Sequence, residues 1–359
     1  TNKKENTPEV WRHGKFRSRQ WAVLIGTSLV LIPAFLLGIA TGSVPIPLDQ
    51  IVSILLGNEP EKASWGTIID TIRIPRSITA VLAGSSLGLA GLQMQTLFRN
   101  PLADPFILGI TAGASFGVAI IVLLETSTLF VFSEGLSSLR DVSTVLAAIL
   151  GAGGVLALIM LISIRVRSYT TILIIGLMIS YAVGSLVTVM IANADARQIE
   201  LFVAWGFGSF RGVTWSELRI FAPIVGSGII LGVLLTKQLN ALLLGEGYAQ
   251  SMGLNVKRIR LIILLGSSVL AGVVTAFCGP IAFLGVAIPH VARVLLGTSD
   301  HRVLVPAVIL LGSVAALMAE LIAQLPGQDA VLPLNAITSL IGAPIVILIL
   351  MKSRRRSFA

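Results

Sequence analysis

The chain of 359 residues is 55% hydrophobic and only 12% charged, with a formal net charge of +9. Soluble domains carry about a quarter charged residues, so the composition excludes a soluble globular protein and points to an all-α, polytopic membrane protein. The basic balance alone would also suit nucleic acid, but the Lys and Arg residues sit in short segments between apolar spans, where they set topology by the positive-inside rule.

Residues 1–20 form a basic tail carrying Lys3, Lys4, Arg12, Lys15, Arg17 and Arg19, expected on the cytoplasmic side against anionic headgroups. The tail is long and polar and runs into a full-length apolar span, unlike a cleavable signal peptide. The transmembrane domain then occupies residues 21–352. Its first span covers 21–40, and the following loop holds Asp49, Glu59, Glu61 and Asp70 against one lysine, which places that loop outside. The second span, 74–97, returns to Arg99 and Asn100 inside, and the third, 106–124, goes out to an acidic loop with Glu125, Glu134 and Asp141. The fourth, 142–164, delivers Arg165 and Arg167 inside, and the fifth is 171–192. Residues 199–215, IELFVAWGFGSFRGVTW, are too short and glycine-broken to span and are expected as an external helix or re-entrant segment. The sixth span is 220–236. A polar interruption at 238–260 contains two short helical patterns separated by Gly245, Gly247 and Gly253. Spans at 261–277, 281–296, 304–325 and 334–351 follow, and residues 353–359 are a second basic tail. Ten spans with both termini cytoplasmic put most Lys and Arg on the inner side.

The stretch that organises the chain is RIPRSITAVLAGSSLGLAGLQMQTLFRNPLADPFILGITAGA, residues 73–114. About twenty apolar residues match the roughly 30 Å hydrocarbon core. The break at Arg99-Asn100-Pro101 cannot lie in lipid, where each unpaired backbone group would cost several kcal/mol, so it lies at a membrane surface or inside protein. Gly84 and Gly88 have the GxxxG spacing that lets helices approach closely. Leu82-Ala83-Gly84-Ser85-Ser86 in the second span resembles Leu265-Gly266-Ser267-Ser268 in the seventh. Each lies in the second span of a five-span half, and an odd number per half makes the two halves inverted, as in many transporters.

No GxxxxGK[ST] phosphate loop, CxxC or HExxH occurs. The three histidines, His13, His290 and His301, are scattered, so neither a catalytic centre nor a metal site is expected. Cys278, the single cysteine, lies in an apolar span and suits a small buried hydrophobe. Energy for active movement then comes from an ion gradient or from a partner. Glu320, with Gln324 one turn on, is the clearest carboxylate within a span. Such a residue serves a proton or sodium pathway or a hydrogen bond to a neighbouring helix. A gradient-driven secondary carrier and a structural or receptor bundle therefore stand beside a partner-driven transporter.

The strings RIPR, AGSSLGLAGLQMQTLFRNPLADPFILGITAGA, GPIAFLGVAIPHVARVLLG and LPLNAITSLIGAPIVI, in that order, resemble the FecCD-type permease subunits of iron-siderophore, haem and vitamin B12 ABC importers. The resemblance covers nearly the whole chain after residue 20. It implies a ten-helix permease beside a second permease subunit, identical or homologous. It also implies two cytoplasmic ATPase subunits that hold ATP and Mg, and an extracytoplasmic siderophore-binding protein. The setting implied is a bacterial inner membrane, with no cofactor on this chain.

By the same resemblance Arg73 and Arg76 dock acidic residues of the binding protein; their alternative is interfacial snorkelling. A further docking arginine of the family is replaced by Gln324. Asn100 and Leu102 fall at a cytoplasmic gate, with Thr170 near its companion, although RNPLADP also suits a plain helix-breaking turn punctuated by Pro101 and Pro105. The string LGEGYAQSMGL is similar to the short helices that couple to the ATPase, which assigns Leu244, Gly245, Glu246, Ala249, Gly253 and Leu254 to that contact. Gly247 stands where a second acidic residue is common, which weakens the expected contact there. The cargo favoured by the family's commonest use is an iron(III)-siderophore, hydroxamate-like, with vitamin B12 and haem as alternatives.

Overall fold

The computed structural model describes residues 9–123, 137–166, 168–324 and 332–357, and the described residues form helices and connections without a strand. Ten apolar helices carry the bundle: α1 (Glu9–Ala40), α4 (Ile74–Phe98), α5 (Ile110–Leu123), α6 (Ser137–Arg165), α7 (Tyr169–Ala192), α9 (Trp215–Leu234), α12 (Val256–Cys278), α13 (Leu284–Leu296), α14 (His301–Ala323) and α15 (Leu334–Ser357). Between them lie the short helices α2 (Leu48–Leu55), α3 (Ala63–Ile68), α8 (Ala196–Gly206), α10 (Thr236–Leu244) and α11 (Glu246–Ser251). Seven of the ten are long and apolar enough to cross a membrane, and α5, α13 and the apolar part of α15 are shorter. They coincide with the ten expected spans, five before α8 and five after it.

Several boundaries differ from the sequence expectation, each for a local reason. Helix α1 runs unbroken from Glu9 through the expected limit at residue 20, so residues 9–20 are helical and continuous with the first span. The second span starts earlier than expected because α3 leads through a π-helical turn, Ile69–Arg73, into α4. Pro75 has no N–H to donate, and the wider turn ahead of it absorbs the misfit in the ladder. The third span starts later, since Pro105–Leu108 is a 3₁₀ turn ended by Gly109 at φ 81°. Helix α8, opened by an Asp195/Gln198 capping box, has 11 residues and is too short to span. The expectations for residues 1–8, for the loop with Glu125 and Glu134, for Arg167 and for residues 358–359 lie outside the described residues.

Helix α4 is buried from Ala83 to Phe98 without interruption and packs against α14, α12, α13 and α9. It belongs to two apolar cores. Its first half, Ala80 to Leu92, joins α9, α13 and α14; Met94, Leu97 and Phe98 join α5–α7 and α10–α12. A methyl group on Gly84 would lie 2.1 Å from the carbonyl oxygen of Gly312, and one on Gly91 would lie 1.8 Å from that of Gly285. The crossings of α4 with α14 and with α13 are therefore backbone against backbone, the close approach that small residues permit.

Gly91→Ala is expected to cost upwards of about 3 kcal/mol by overpacking, and Gly153→Ala, whose added carbon meets no atom within 4 Å, nothing. Thermal unfolding of the two variants in detergent, read beside their chromatographic homogeneity, tests this; equal melting points would show that the α4–α13 crossing is not close.

Candidate functional site

Two groups of polar residues mark opposite ends of α4. At its start, Arg73 is only 1% exposed and Arg76 only 3%. The Arg73 guanidinium turns back onto the end of α1, where Nη1 donates to the carbonyls of Ile39 at 2.9 Å and Ala40 at 2.8 Å, and Nη2 donates to that of Val44. Arg76 Nη2 donates to the carbonyls of Gly38 at 2.6 Å and Thr41 at 2.9 Å, and Nη1 to Gln324 Oε1 at 2.7 Å. The last carbonyls of a helix have no partner within it and form the negative end of its dipole, so two buried cations find acceptors there. Neither arginine snorkels to solvent.

Glu320 on α14 supplies the counter-charge. Its Oε1 lies 3.5 Å from Arg76 Nε and 4.0 Å from Arg211 Nε, and it accepts from Gln324 Nε2. Arg211 stands in the loop before α9 and is 33% exposed. An open cavity of about 290 Å³ lies over the cluster, lined by Gly42, Ser43, Val44, Arg73, Arg76 and Arg211 among others. Three guanidinium groups against one carboxylate leave the cluster itself with surplus positive charge. Sequence reasoning missed Arg211, whose only signal is an arginine inside an aromatic, glycine-rich segment.

Removing one member of a buried ion pair strands the other, at about 3–5 kcal/mol. Arg76→Met is therefore expected to lower the melting temperature in detergent sharply, and Arg76→Met with Glu320→Met to recover most of the loss. A double variant no better than the single one would show that Glu320 does not depend on Arg76.

At the other end of α4, Arg99 adopts a left-handed conformation (φ 47°) and stops the helix. Asn100 Oδ1 accepts from the N–H of Leu102 at 3.0 Å, so Asn100 holds its own turn. Leu102 is 42% exposed, whereas Ala103, Asp104 and Pro105 are buried. Asp104 Oδ1 accepts from the N–H of Phe106 at 2.8 Å and caps the 3₁₀ turn. Burial pushes its carboxyl up to about 6, against the smaller opposite pull of that N–H. Thr170, near the start of α7, is exposed, and Ser168 Oγ caps that helix by accepting from the N–H of Thr171 at 3.3 Å. Helix α7 packs on the 3₁₀ turn, with Thr170 less than two turns before Gly176, which sits against Ile107 and Leu108.

The raised value for Asp104 means that the folded chain binds its proton more tightly than the unfolded chain does. Stability is then lost as pH rises from about 4 to about 6. Asp104→Asn keeps the acceptor for Phe106 and removes the titration, so its melting temperature is expected to be flatter across that window and higher above it. A pH profile parallel to that of the parent would refute the burial argument.

The segment between α9 and α12 folds as α10 and α11, hinged at Gly245 (φ 125°) and closed at Gly253 (φ 80°). Of the six residues singled out there, Leu244 is exposed, and Glu246 pairs with Arg260 at 2.9 Å. Ala249 is buried and Leu254 packs on the second core, so both face the protein interior. The outward apolar face is made by Leu244 together with Leu243, Tyr248 and Met252.

A helical bundle with a cationic cavity at one end and a hinged, apolar-faced pair of short helices at the other defines an integral membrane permease. The chain belongs to the FecCD transport family, which matches residues 11–352, and is an ABC importer permease of the BtuC and HmuU type. It is 34% identical over 341 residues to the vitamin B12 import system permease protein BtuC of Klebsiella pneumoniae, covering 95% of this chain and 96% of that one. It is 32% identical over 335 residues to the hemin transport system permease protein HmuU of Yersinia pestis, covering 93% and 97%. A solved structure described as an inward-facing conformation of an ABC transporter of the metal-chelate type superposes with a TM-score of 0.79 at 27% identity, over 92% of this chain and 99% of that one.

Proposed function

We propose that this permease carries a metal chelate, an iron(III)-siderophore of the hydroxamate kind, into a bacterial cytoplasm through its inner membrane. In this reading both termini are cytoplasmic and no cofactor resides on the chain. Two partner ATPase subunits hydrolyse ATP with Mg and push on the outward face of α10 and α11, and a second permease subunit completes the pathway. The observation that carries the reading is the outward apolar face Leu243, Leu244, Tyr248 and Met252 on a hinged segment, a surface without purpose in a transporter that acts alone. An exposed stripe on α7, Ile174, Met178, Tyr181, Ser185 and Thr188, supports the second subunit or the pathway beside it. Asn100, Leu102 and Thr170 are the gate in this reading.

The binding protein docks by acidic residues on the cationic cavity, with Arg73 and Arg76 as its floor and Arg211 as the arm that reaches solvent. Because the first two are already held by carbonyls, the exposed arm meets the carboxylate first. Vitamin B12 is the second reading for the cargo, favoured by the likeness to BtuC over nearly the full chain, and haem the third.

The deciding experiment gives cells that express the chain with its ATPase and binding protein radiolabelled iron as a hydroxamate siderophore, vitamin B12 or haem, beside a hydrolysis-dead ATPase. Iron accumulation that needs hydrolysis is the expected result, and Arg211→Glu is expected to weaken binding-protein association by about tenfold or more. Accumulation of vitamin B12 or haem instead changes the cargo alone. Accumulation that ignores the ATPase establishes a secondary carrier and overturns the proposal.

A further inference from the structure

The short helix α10 touches the bundle through a chain of hydrogen bonds that reaches the last turn of α4. Asn240 Nδ2 donates to Asp300 Oδ1 at 2.7 Å, and this orients the amide so that its oxygen faces α14. That oxygen lies 2.9 Å from the His301 backbone N–H and 2.8 Å from His301 Nδ1. Since an amide oxygen only accepts, Nδ1 carries the hydrogen, and in the neutral ring Nε2 is an acceptor. Facing it at 2.7 Å is Thr96 Oγ1, which also lies 2.8 Å from the carbonyl of Leu92. His301 and Thr96 are buried. A second tie runs beside the first, from Arg99 Nη2 to the carbonyl of Leu242 at 3.2 Å.

A buried histidine whose bonds are all made is ordinarily a structural residue. What lifts this one out of that class is the Thr96 hydroxyl, which has a single hydrogen and two acceptors. While it serves His301, the Leu92 carbonyl loses that bond, and when His301 withdraws the hydroxyl returns to its own helix. The single hydroxyl hydrogen at the last turn of α4 thus serves either its own helix or His301. The turn leads straight into the exposed residues: Arg99 N–H donates to Thr96 O, and Asn100 N–H to Gln95 O.

Resting on the partner-driven reading above, we propose that Thr96, His301 and Asn240 form a latch that passes movement of the α10–α11 segment to the turn Asn100–Leu102 at the end of α4. These are positioning residues. Residues separated by 61 positions (Asn240 and His301) and by 205 (Thr96 and His301) meet at one point, so a displacement of α10 acts on a chain of hydrogen bonds that ends on α4.

The test uses the assembled complex with its ATPase in proteoliposomes and needs no cargo. Leu102→Cys serves as a reporter for a membrane-impermeant maleimide; the native Cys278 is buried and gives little background. Labelling rates are compared without nucleotide and after trapping with ATP, Mg and vanadate. Thr96→Val, nearly the same shape without the hydroxyl, is expected to keep ATP hydrolysis within about twofold while the nucleotide-dependent change in labelling falls about fivefold or more, the weight of one hydrogen bond. Thr96→Ser, which keeps the hydroxyl, restores it. An undiminished change in Thr96→Val, or no recovery in Thr96→Ser, overturns the latch. If Thr96→Val does not assemble, Asn240→Ala on the half-exposed α10 decides by the same readout. A parent Leu102→Cys complex that hydrolyses ATP with no change in labelling overturns the partner-driven reading and the latch together.

Discussion

A helix enclosed by others inside a membrane gains nothing from the hydrophobic effect, because lipid tails are as apolar as its neighbours; it is held by dispersion at close range and by hydrogen bonds. Helix α4 meets that constraint at Gly84 and Gly91, where it lies backbone to backbone on Gly312 and Gly285. No side chain stands between the helices, so nothing at these crossings can change rotamer to absorb a displacement. Because α4 also belongs to both apolar cores, it ties the two halves of the chain into one body.

The two ends of α4 solve the problem of buried polar groups in different ways. A buried cation needs acceptors or a counter-charge, and Arg73 and Arg76 take theirs from α1, whose terminal carbonyls are in need of donors. One arrangement gives those carbonyls donors and the guanidinium groups acceptors. Glu320 is the counter-charge beside Arg76 and Arg211, which is why its presence in a span does not by itself imply ion coupling. At the opposite end the link from α10 to α4 runs through side chains rather than through an ion pair. Thr96, His301 and Asn240 form a neutral chain, with Asp300 at its solvent-near limit.

Much of this was legible in the sequence. The ten apolar helices could be located because backbone groups in lipid must be paired within a helix, and that requirement prints itself as long apolar runs. The glycine spacing announced close crossings, and Gly245 divides the two short helices with Gly253 after the second, whereas Gly247, expected beside them, lies within the second helix. The direction in which a side chain turns was not legible. Arg73 and Arg76 follow an acidic loop, which suggests an outward face, but the unpaired carbonyls of α1 that draw them inward come from residues some 30 positions earlier. Ala249 and Leu254 could not be told from their exposed neighbours because a helix as short as α11 shows its faces only against the body it packs on. His301 looked like one of three scattered histidines, since its partners sit at positions 96 and 240 and no local pattern encodes contacts of that range.

The contrast between the two ends has a mechanical consequence. Charges act over about 10 Å at ordinary ionic strength, so the cluster of Arg73, Arg76 and Arg211 can draw an acidic group from solution before any contact forms, and tolerates some error in its position. Hydrogen bonds weaken steeply once the donor–acceptor distance passes about 3.2 Å or the angle degrades, so the Thr96–His301–Asn240 chain responds to displacements of a few tenths of an ångström and to little else. A long-range attractor at one end, a short-range displacement sensor at the other, and between them a helix that cannot yield at its crossings make an arrangement suited to registering two different partners on one rigid element.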